Sequence, residues 1–480
     1  MANFLEEVFI RQKLKNPYGI FLALGLAALI GYLLATNFAL GIMLVMALLG
    51  LCVLLLCVSY PDAALYGVIA FIFFIDFFIR WLGLDFPAGV VYDILLFAGC
   101  LGVLLRKKTT GRSDGYFFRS PVVTWFLVVG AYTLAEVANP YIHNLPTWFN
   151  AFRKAVEEIG LLFLSFSVFT SAGKIRQFIS VLLVCSAVAG VYAVFQQFHG
   201  LMGFERAWVE ADPGRFELLF IQGEFRKFSS FSGPTSFGID MSCCALLFSL
   251  IALYERPFRR GLLFLGSACA LWGMLYSGTR TANVIIVAGL GLFILLGFDK
   301  KQVRVFTLLM SMVFLFALYV PIYSSQPLNR FRSSFIGSKD ASYNLRNQDR
   351  AFIQPNIYTH PIGWGLGSTN GTPGEYVTGS ALDGFQTDDQ YLRIALETGW
   401  IGLIISCSLN FVILRVGIRA YFRTKRPERK TLYAAALACI FAFILAELAQ
   451  EVIGQLECDV VLIPVIGMIL RLDQMDRTES

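Results

Sequence analysis

Apolar stretches of near twenty residues recur along the whole of this 480-residue chain, and that recurrence limits its fold more than any other feature. Each stretch is long enough to cross a hydrocarbon layer of about 30 Å as a helix. In lipid every backbone N–H and C=O must be satisfied within the segment, so helices are what such stretches form. They begin near Tyr18 and Phe38 and continue at 64–84, 88–105, 121–138, 154–170, 177–198, 236–254, 261–277, 281–298, 304–321, 390–414, 431–450 and 456–471. Charged residues make up 15% of the chain, against about 25% in soluble domains. A water-soluble enzyme is excluded. The expected fold is an all-α integral membrane protein of about 12–14 transmembrane helices, with a large outer (periplasmic) loop between late helices. With no internal repeat and no Pro- or Ser-rich linker, residues 1–480 read as a single polytopic domain.

Charge sets the expected orientation. Arg11, Lys13 and Lys15 precede the first span, whose apolar core is too long for a removable signal, so that span is expected to stay and the start to face the cytoplasm. Alternation then gives inner connections at Arg106–Arg119, Lys174–Arg176, Glu255–Arg260, Asp299–Arg304 and Arg415–Lys430. With both termini these hold 25 of the 39 Lys and Arg residues. That asymmetry is the positive-inside pattern, with both termini expected to be cytoplasmic. The net charge of +6 is therefore read as orientation, and nucleic acid is not an expected partner. The ten cysteines lie in or beside apolar segments with no CxxC and no Cys/His cluster, so neither disulfides nor a metal site is expected.

Two outer connections stand out, a first outer loop at 199–235 and a large outer loop at 323–389. A connection of that second length usually acts as a lid or binding element. Asp76, Arg80, Asp93, Glu136, Arg153, Glu157, Glu158, Asp240, Arg280, Glu397, Glu447, Glu451 and Asp459 all fall toward the outer ends of their spans, while the inner halves are almost bare. Snorkelling accounts for any one of them. Their one-sidedness points to a polar crevice open to the outer leaflet. Transporters place ionisable groups near the midplane, which these do not reach, so transport is the lesser reading.

Four segments carry candidate chemistry. Phe228 to Gly238 is a polar turn entering a span just before Asp240, readable as a plain helix entry. Ser277 to Ala282 is a tight turn holding Arg280, whose planar guanidinium suits phosphate oxygens or headgroups alike. Arg346 and Arg350, four residues apart in a stretch with helical potential near 347–358, share one helix face, as an anion site or a solvated surface. The glycine run Gly363, Gly365, Gly367 resembles a phosphate loop only superficially, because no βαβ unit surrounds it. Asp388 and Asp389 open the last segment, ahead of Glu397. They either cap a helix or supply a base to a sugar hydroxyl. Trp208, Tyr343, Tyr358, Trp364 and Tyr376 are aromatics of the outer loops, readable as packing residues or interface anchors, or as the lining of a glycan groove if the resemblance drawn next holds.

In this order the segments resemble the O-antigen ligase and polysaccharide polymerase family of bacterial envelope proteins. That family carries a Ser-Arg turn, an outer-loop arginine ahead of a Pro-x-x-Gly-x-Gly element, a His-Asn-x-Tyr-Leu motif and a Glu-x-Gly-x-x-Gly helix. Here Arg280, Arg346, Pro361 with Gly363 to Gly367, Asp388-Asp389-Gln390-Tyr391-Leu392 and Glu397-Thr398-Gly399-Trp400-Ile401-Gly402 fall on those features, and Gln196-Gln197 is also similar. The family-like core covers residues 190–415. The family histidine falls on Asp388, and His360 is not a positional replacement. What the resemblance implies is a metal-independent glycosyltransferase without cofactor, taking an undecaprenyl diphosphate-linked glycan as donor, an acceptor glycan and the lipid bilayer as partners, with a chain-length regulator as a further expected partner. Arg280, Arg346 and Arg350 are the expected donor diphosphate-binding residues, Asp388 and Asp389 the expected catalytic ones, and Asp240 and Glu397 supporting ones. With an aspartate in place of the histidine, polymerase is the leading reading, followed by transfer to lipid A core and then by transport of lipid-linked or soluble solute.

Overall fold

The computed structural model describes residues 17–83, 86–110, 115–141, 145–221, 223–320, 326–336, 341–369, 387 and 389–479. Among them, a helix covers each apolar stretch, and ten helices are long and apolar enough to cross a membrane. The chain is an all-α, multi-pass membrane protein. Its described strands form a single hairpin in which Phe220 pairs with Phe225 and Ile221 with Glu224. Prolines open the helices Pro61–Leu82, Pro121–Ala135, Pro234–Ala252, Pro257–Ser277 and Pro427–Ala446, where their missing N–H costs nothing.

One expected span is broken. Instead of a continuous helix over 390–414, a short helix Gln390–Glu397 is followed by a separate helix Gly399–Arg423. The break falls at Gly399, whose φ of +69° no uninterrupted right-handed helix contains. The large loop carries two helices of its own, Gln326–Ile336 and Ala341–Thr359.

The described residues divide into two compact units. The first takes in residues up to Val68 and Val90–Ser113. Its helices Phe38–Ser59 and Ala88–Thr110 approach closely at Gly102, where a Cβ would stand 2.2 Å from the Val58 carbonyl oxygen. The second unit, Ile69–Gly89 with Asp114–Ser480, holds the helices of interest for function. At its centre is Pro234–Ala252, which packs against Ala172–His199, Pro257–Ser277, Arg280–Gly297, Pro427–Ala446 and Leu456–Glu479. The far ends of Gly399–Arg423, Pro427–Ala446 and Leu456–Glu479 are tied by ion pairs. Arg423 bonds Asp473, and Arg429 reaches Asp476 at 2.6 Å and Glu479 at 2.8 Å.

Candidate functional site

The Ser277 to Ala282 turn folds as its sequence suggests. Pro257–Ser277 ends at Gly278, which takes the left-handed conformation (φ +65°) that only glycine adopts without strain, and Thr279 is the extended residue before Arg280–Gly297 begins. Arg280 thus occupies the first turn of a helix, where a cation opposes the helix dipole unless an anion joins it.

Two more arginines converge on this turn. The Arg226 guanidinium donates to the Ser277 carbonyl at 3.0 Å and to the Thr279 hydroxyl at 3.0 Å. Lys227 donates its backbone N–H to the Tyr276 carbonyl at 3.1 Å, so the hairpin's trailing strand is stitched onto the helix end. Arg330, from the large loop, crosses Gly278 so closely that a Cβ there would lie 2.3 Å from its guanidinium, and it donates to the Ile221 carbonyl at 2.8 Å. Burial, then the neighbouring Arg330 and Arg280, push Arg226 down to about 10. Burial lowers Arg330 as well; Glu224 offsets part of that and Arg280 adds to it. Lys227 is lowered by burial, with Glu224 opposing. Three guanidinium groups gathered on one helix start make a site of concentrated positive charge.

A second feature explains the glycine run. Gly363, Gly365, Gly367 and Gly399 all have positive φ. The 361–367 turn lies directly on the helix break at Gly399: Trp364 N–H bonds the Leu396 carbonyl at 2.8 Å and Gly365 N–H the Glu397 carbonyl at 2.9 Å. A Cβ on Gly399 would sit 1.9 Å from the Pro361 carbonyl oxygen, and one on Gly363 would sit 2.4 Å from that of Glu397. The glycines therefore form a backbone-to-backbone clasp. Asn139 braces it by donating to the Ile362 carbonyl at 2.9 Å, and Tyr132 by donating to the Thr398 carbonyl at 2.8 Å. Glu397, buried in the clasp, accepts from the Thr369 hydroxyl at 2.6 Å and from Arg393 at 3.1 Å.

Asp389 caps the helix after the clasp, accepting from Leu392 N–H at 3.2 Å, and it is buried against Arg350, whose Nε donates to it at 3.1 Å. The structure thus pairs one expected donor-binding residue with one expected catalytic residue. Arg280 groups instead with Arg226 and Arg330. Asp388 and the side chain of Arg346 lie outside the described residues. Asp240 is fully buried in the Pro234–Ala252 helix. Gln196 is a brace: it bonds Glu205 at 2.8 Å and receives the Ser229 N–H at 2.9 Å. Trp208 packs over Arg215 and Phe228, and Trp364 lies on His360, with ring centroids 4.1 Å apart. Tyr358 is exposed. Tyr376 and the side chain of Tyr343 fall outside the described residues.

Residues 265–407 match a family model described as O-Antigen ligase. That segment is of the O-antigen ligase family. No curated protein matches the chain. The O-antigen ligase segment runs from inside Pro257–Ser277 into Gly399–Arg423, and so contains Arg280, Arg330, Arg350, Asp389 and the clasp. The match supports a membrane glycan-transfer role in O-antigen biosynthesis for this segment, of ligase or glycosyltransferase type and acting on lipid-linked glycan. Arg226 and Lys227 lie before the segment and were not among the expected site residues, nor was Arg330. A signal for the first two existed. Adjacent cations in an expected outer connection run against the positive-inside pattern.

Proposed function

We propose that the chain is a metal-independent glycosyltransferase of the bacterial inner membrane, both termini cytoplasmic, that extends a glycan carried on undecaprenyl diphosphate. The observation that carries this reading is the convergence of Arg226, Arg280 and Arg330 on one helix start. An acceptor hydroxyl attacks the anomeric carbon of the donor sugar as the bond to the diphosphate oxygen breaks. The leaving diphosphate gathers negative charge, and fixed guanidinium groups lower the barrier by meeting it. Arg346 and Arg350 add to the set from the large loop.

The hydroxyl proton passes to Asp388 or Asp389. The pairing of Arg350 with Asp389 supports a coupling between the two halves of the site. A diphosphate that draws Arg350 away leaves the Asp389 carboxylate free to accept the hydroxyl proton, so the base is released when the donor is in place. A chain-length regulator is the partner proposed for setting polymer size.

Transfer to lipid A core is favoured by the description of the matched family, and polymerisation by an aspartate at position 388 in place of the family's histidine. Gel analysis of a deletion strain separates them: single repeat units remain when a polymerase is lost, and unattached lipid-linked polymer when a ligase is lost. Transport predicts repeat units held on the inner leaflet. The active-site assignment is tested by Arg280→Ala, which is expected to abolish long glycan at unchanged protein level. Wild-type glycan in that variant overturns it.

A further inference from the structure

Between the Pro121–Ala135, Leu145–Val168 and Gly399–Arg423 helices, beside the Gln390–Glu397 helix, lies a cavity of about 520 Å³. Small-ligand sites span about 300 to 1,000 Å³, so its size suits roughly one or two sugar rings. Nothing in the donor mechanism above uses it.

Its chemistry is selective. The lining cations are Arg153, Lys154 and Arg393, and each is already committed to a carboxylate. Arg393 lies between Glu397, at 3.1 Å, and Glu451; Lys154 is 3.6 Å from Glu451; Arg153 is 2.9 Å from Glu157. Glu158 and Glu447 add further acid to the walls. Among the described residues no spare positive charge would meet a diphosphate or a uronate, and an acyl chain would have to desolvate carboxylates. Hydrogen-bonding capacity is what the cavity offers. The side-chain oxygen of Gln390 is buried and has no partner among the described residues, a condition that costs about 1 to 3 kcal/mol unless something binds there. A hydroxyl is donor and acceptor at once, so it satisfies that amide whichever way the group is turned. Gln390 also follows Asp389 directly, which sets the cavity's rim beside the candidate base.

We propose that this cavity holds the neutral, polyhydroxylated end sugar of the acceptor glycan, an inference that rests on the glycan-transfer reading above. Gln390 binds a sugar hydroxyl and the paired charges of the walls exclude anionic sugars. The attacking hydroxyl is thereby presented toward Asp389.

The test uses the full chain in nanodiscs and titration calorimetry. The probes are oligosaccharides released by mild acid from the host strain's own envelope polysaccharide and separated into neutral and acidic fractions. The wild type is expected to bind the neutral fraction, Gln390→Ala to bind at least tenfold more weakly, and Ser406→Phe, which fills the cavity, to lose binding. Thermal melting in the same nanodiscs checks the fold; should Ser406→Phe not fold, Gln390→Ala alone decides. Equal affinity in wild type and Gln390→Ala, preference for the acidic fraction, or no binding by the wild type overturns the proposal. Arg280→Ala keeps the two readings apart. It is expected to stop transfer while leaving oligosaccharide affinity unchanged. Transfer that persists in Arg280→Ala, with saccharide binding still lost in Gln390→Ala, overturns the donor site and leaves the cavity standing.

Discussion

The clasp gives the sharpest prediction, because a single methyl group should undo it. In Gly399→Ala the new Cβ would stand 1.9 Å from the Pro361 carbonyl oxygen and 2.6 Å from the Gly363 nitrogen, on a residue with φ of +69°. Both partners are backbone, so no side chain can swing aside. The left-handed conformation alone costs alanine about 1 to 2 kcal/mol. Relief of the clash requires the 361–367 turn to lift, which breaks the Trp364 to Leu396 and Gly365 to Glu397 hydrogen bonds, each worth about 1 kcal/mol. Summed, the docked turn loses about 3 to 4 kcal/mol, or two to three decades in its docking equilibrium. Hydrogen exchange read by mass spectrometry in nanodiscs should show the Trp364 and Gly365 amides losing protection by a factor of about a hundred to a thousand. The membrane helices should keep theirs, and glycan transfer should fail. Gly291→Ala is the control: a Cβ there meets nothing within 4 Å inside a helix, so it should leave stability unchanged or raise it by about 0.5 to 1 kcal/mol. Full protection of Trp364 and Gly365 in Gly399→Ala would refute the steric reasoning.

Arg226→Ala removes a charge and two hydrogen bonds that hold the Arg280 turn. Donor affinity should fall about 10- to 150-fold, the equivalent of a charge-assisted bond of about 1.5 to 3 kcal/mol, with Arg226→Lys recovering part of it; equal affinity in wild type and alanine variant counts against the site. Because Arg226 is pushed down to about 10, donor binding should hold between pH 7 and 9 and weaken above about pH 10. Over the interval between the depressed value and the ordinary guanidinium range the unfolded chain binds the extra proton, so folded-state stability should rise with pH there, and a melting temperature that falls through that interval for wild type relative to Arg226→Ala contradicts the assignment. The Arg350 and Asp389 pair is asymmetric, the arginine side chain 45% exposed and the aspartate 4%. Arg350→Ala strands a buried carboxylate and should lower stability by about 2 to 3 kcal/mol, whereas Asp389→Asn keeps the helix cap and costs about 1 kcal/mol; equal losses on thermal melting would refute this.

The helices were legible because hydropathy over twenty residues is a local property that lipid reads directly. The Ser277 to Ala282 turn was legible for a similar reason, since glycine in a short polar stretch between apolar runs leaves the chain few alternatives. The break at Gly399 was not. Residues 390–414 read as one expected span although Gln390, Arg393 and Glu397 stand at its start, and only a tertiary partner, the Pro361 turn, decides that Gly399 takes positive φ. The motif containing it was recognised as a pattern, yet its physical purpose, close backbone approach, emerges from geometry alone. Arg226 and Arg330 were hidden in the same way. They come from separate connections, and no spacing rule links them to Arg280. Asp389 reads from sequence as either cap or base; the structure shows it capping a helix and paired with Arg350.

The central position of Pro234–Ala252 bears on how the protein enters the bilayer. In its most apolar window 89% of residues are buried inside the protein, against 11% for Lys301–Tyr319, so its surroundings are other helices and hardly lipid at all. An aspartate at the middle of an isolated span raises the cost of insertion by about 2.5 to 3.5 kcal/mol. Asp240, seventh of the nineteen residues, places a share of that burden on a segment whose hydropathy is only 1.6. Such a helix is poorly suited to partition from the translocon on its own. Its insertion is expected to be cooperative, with Pro257–Ser277 entering beside it as a hairpin that shields the carboxyl before either helix meets acyl chains.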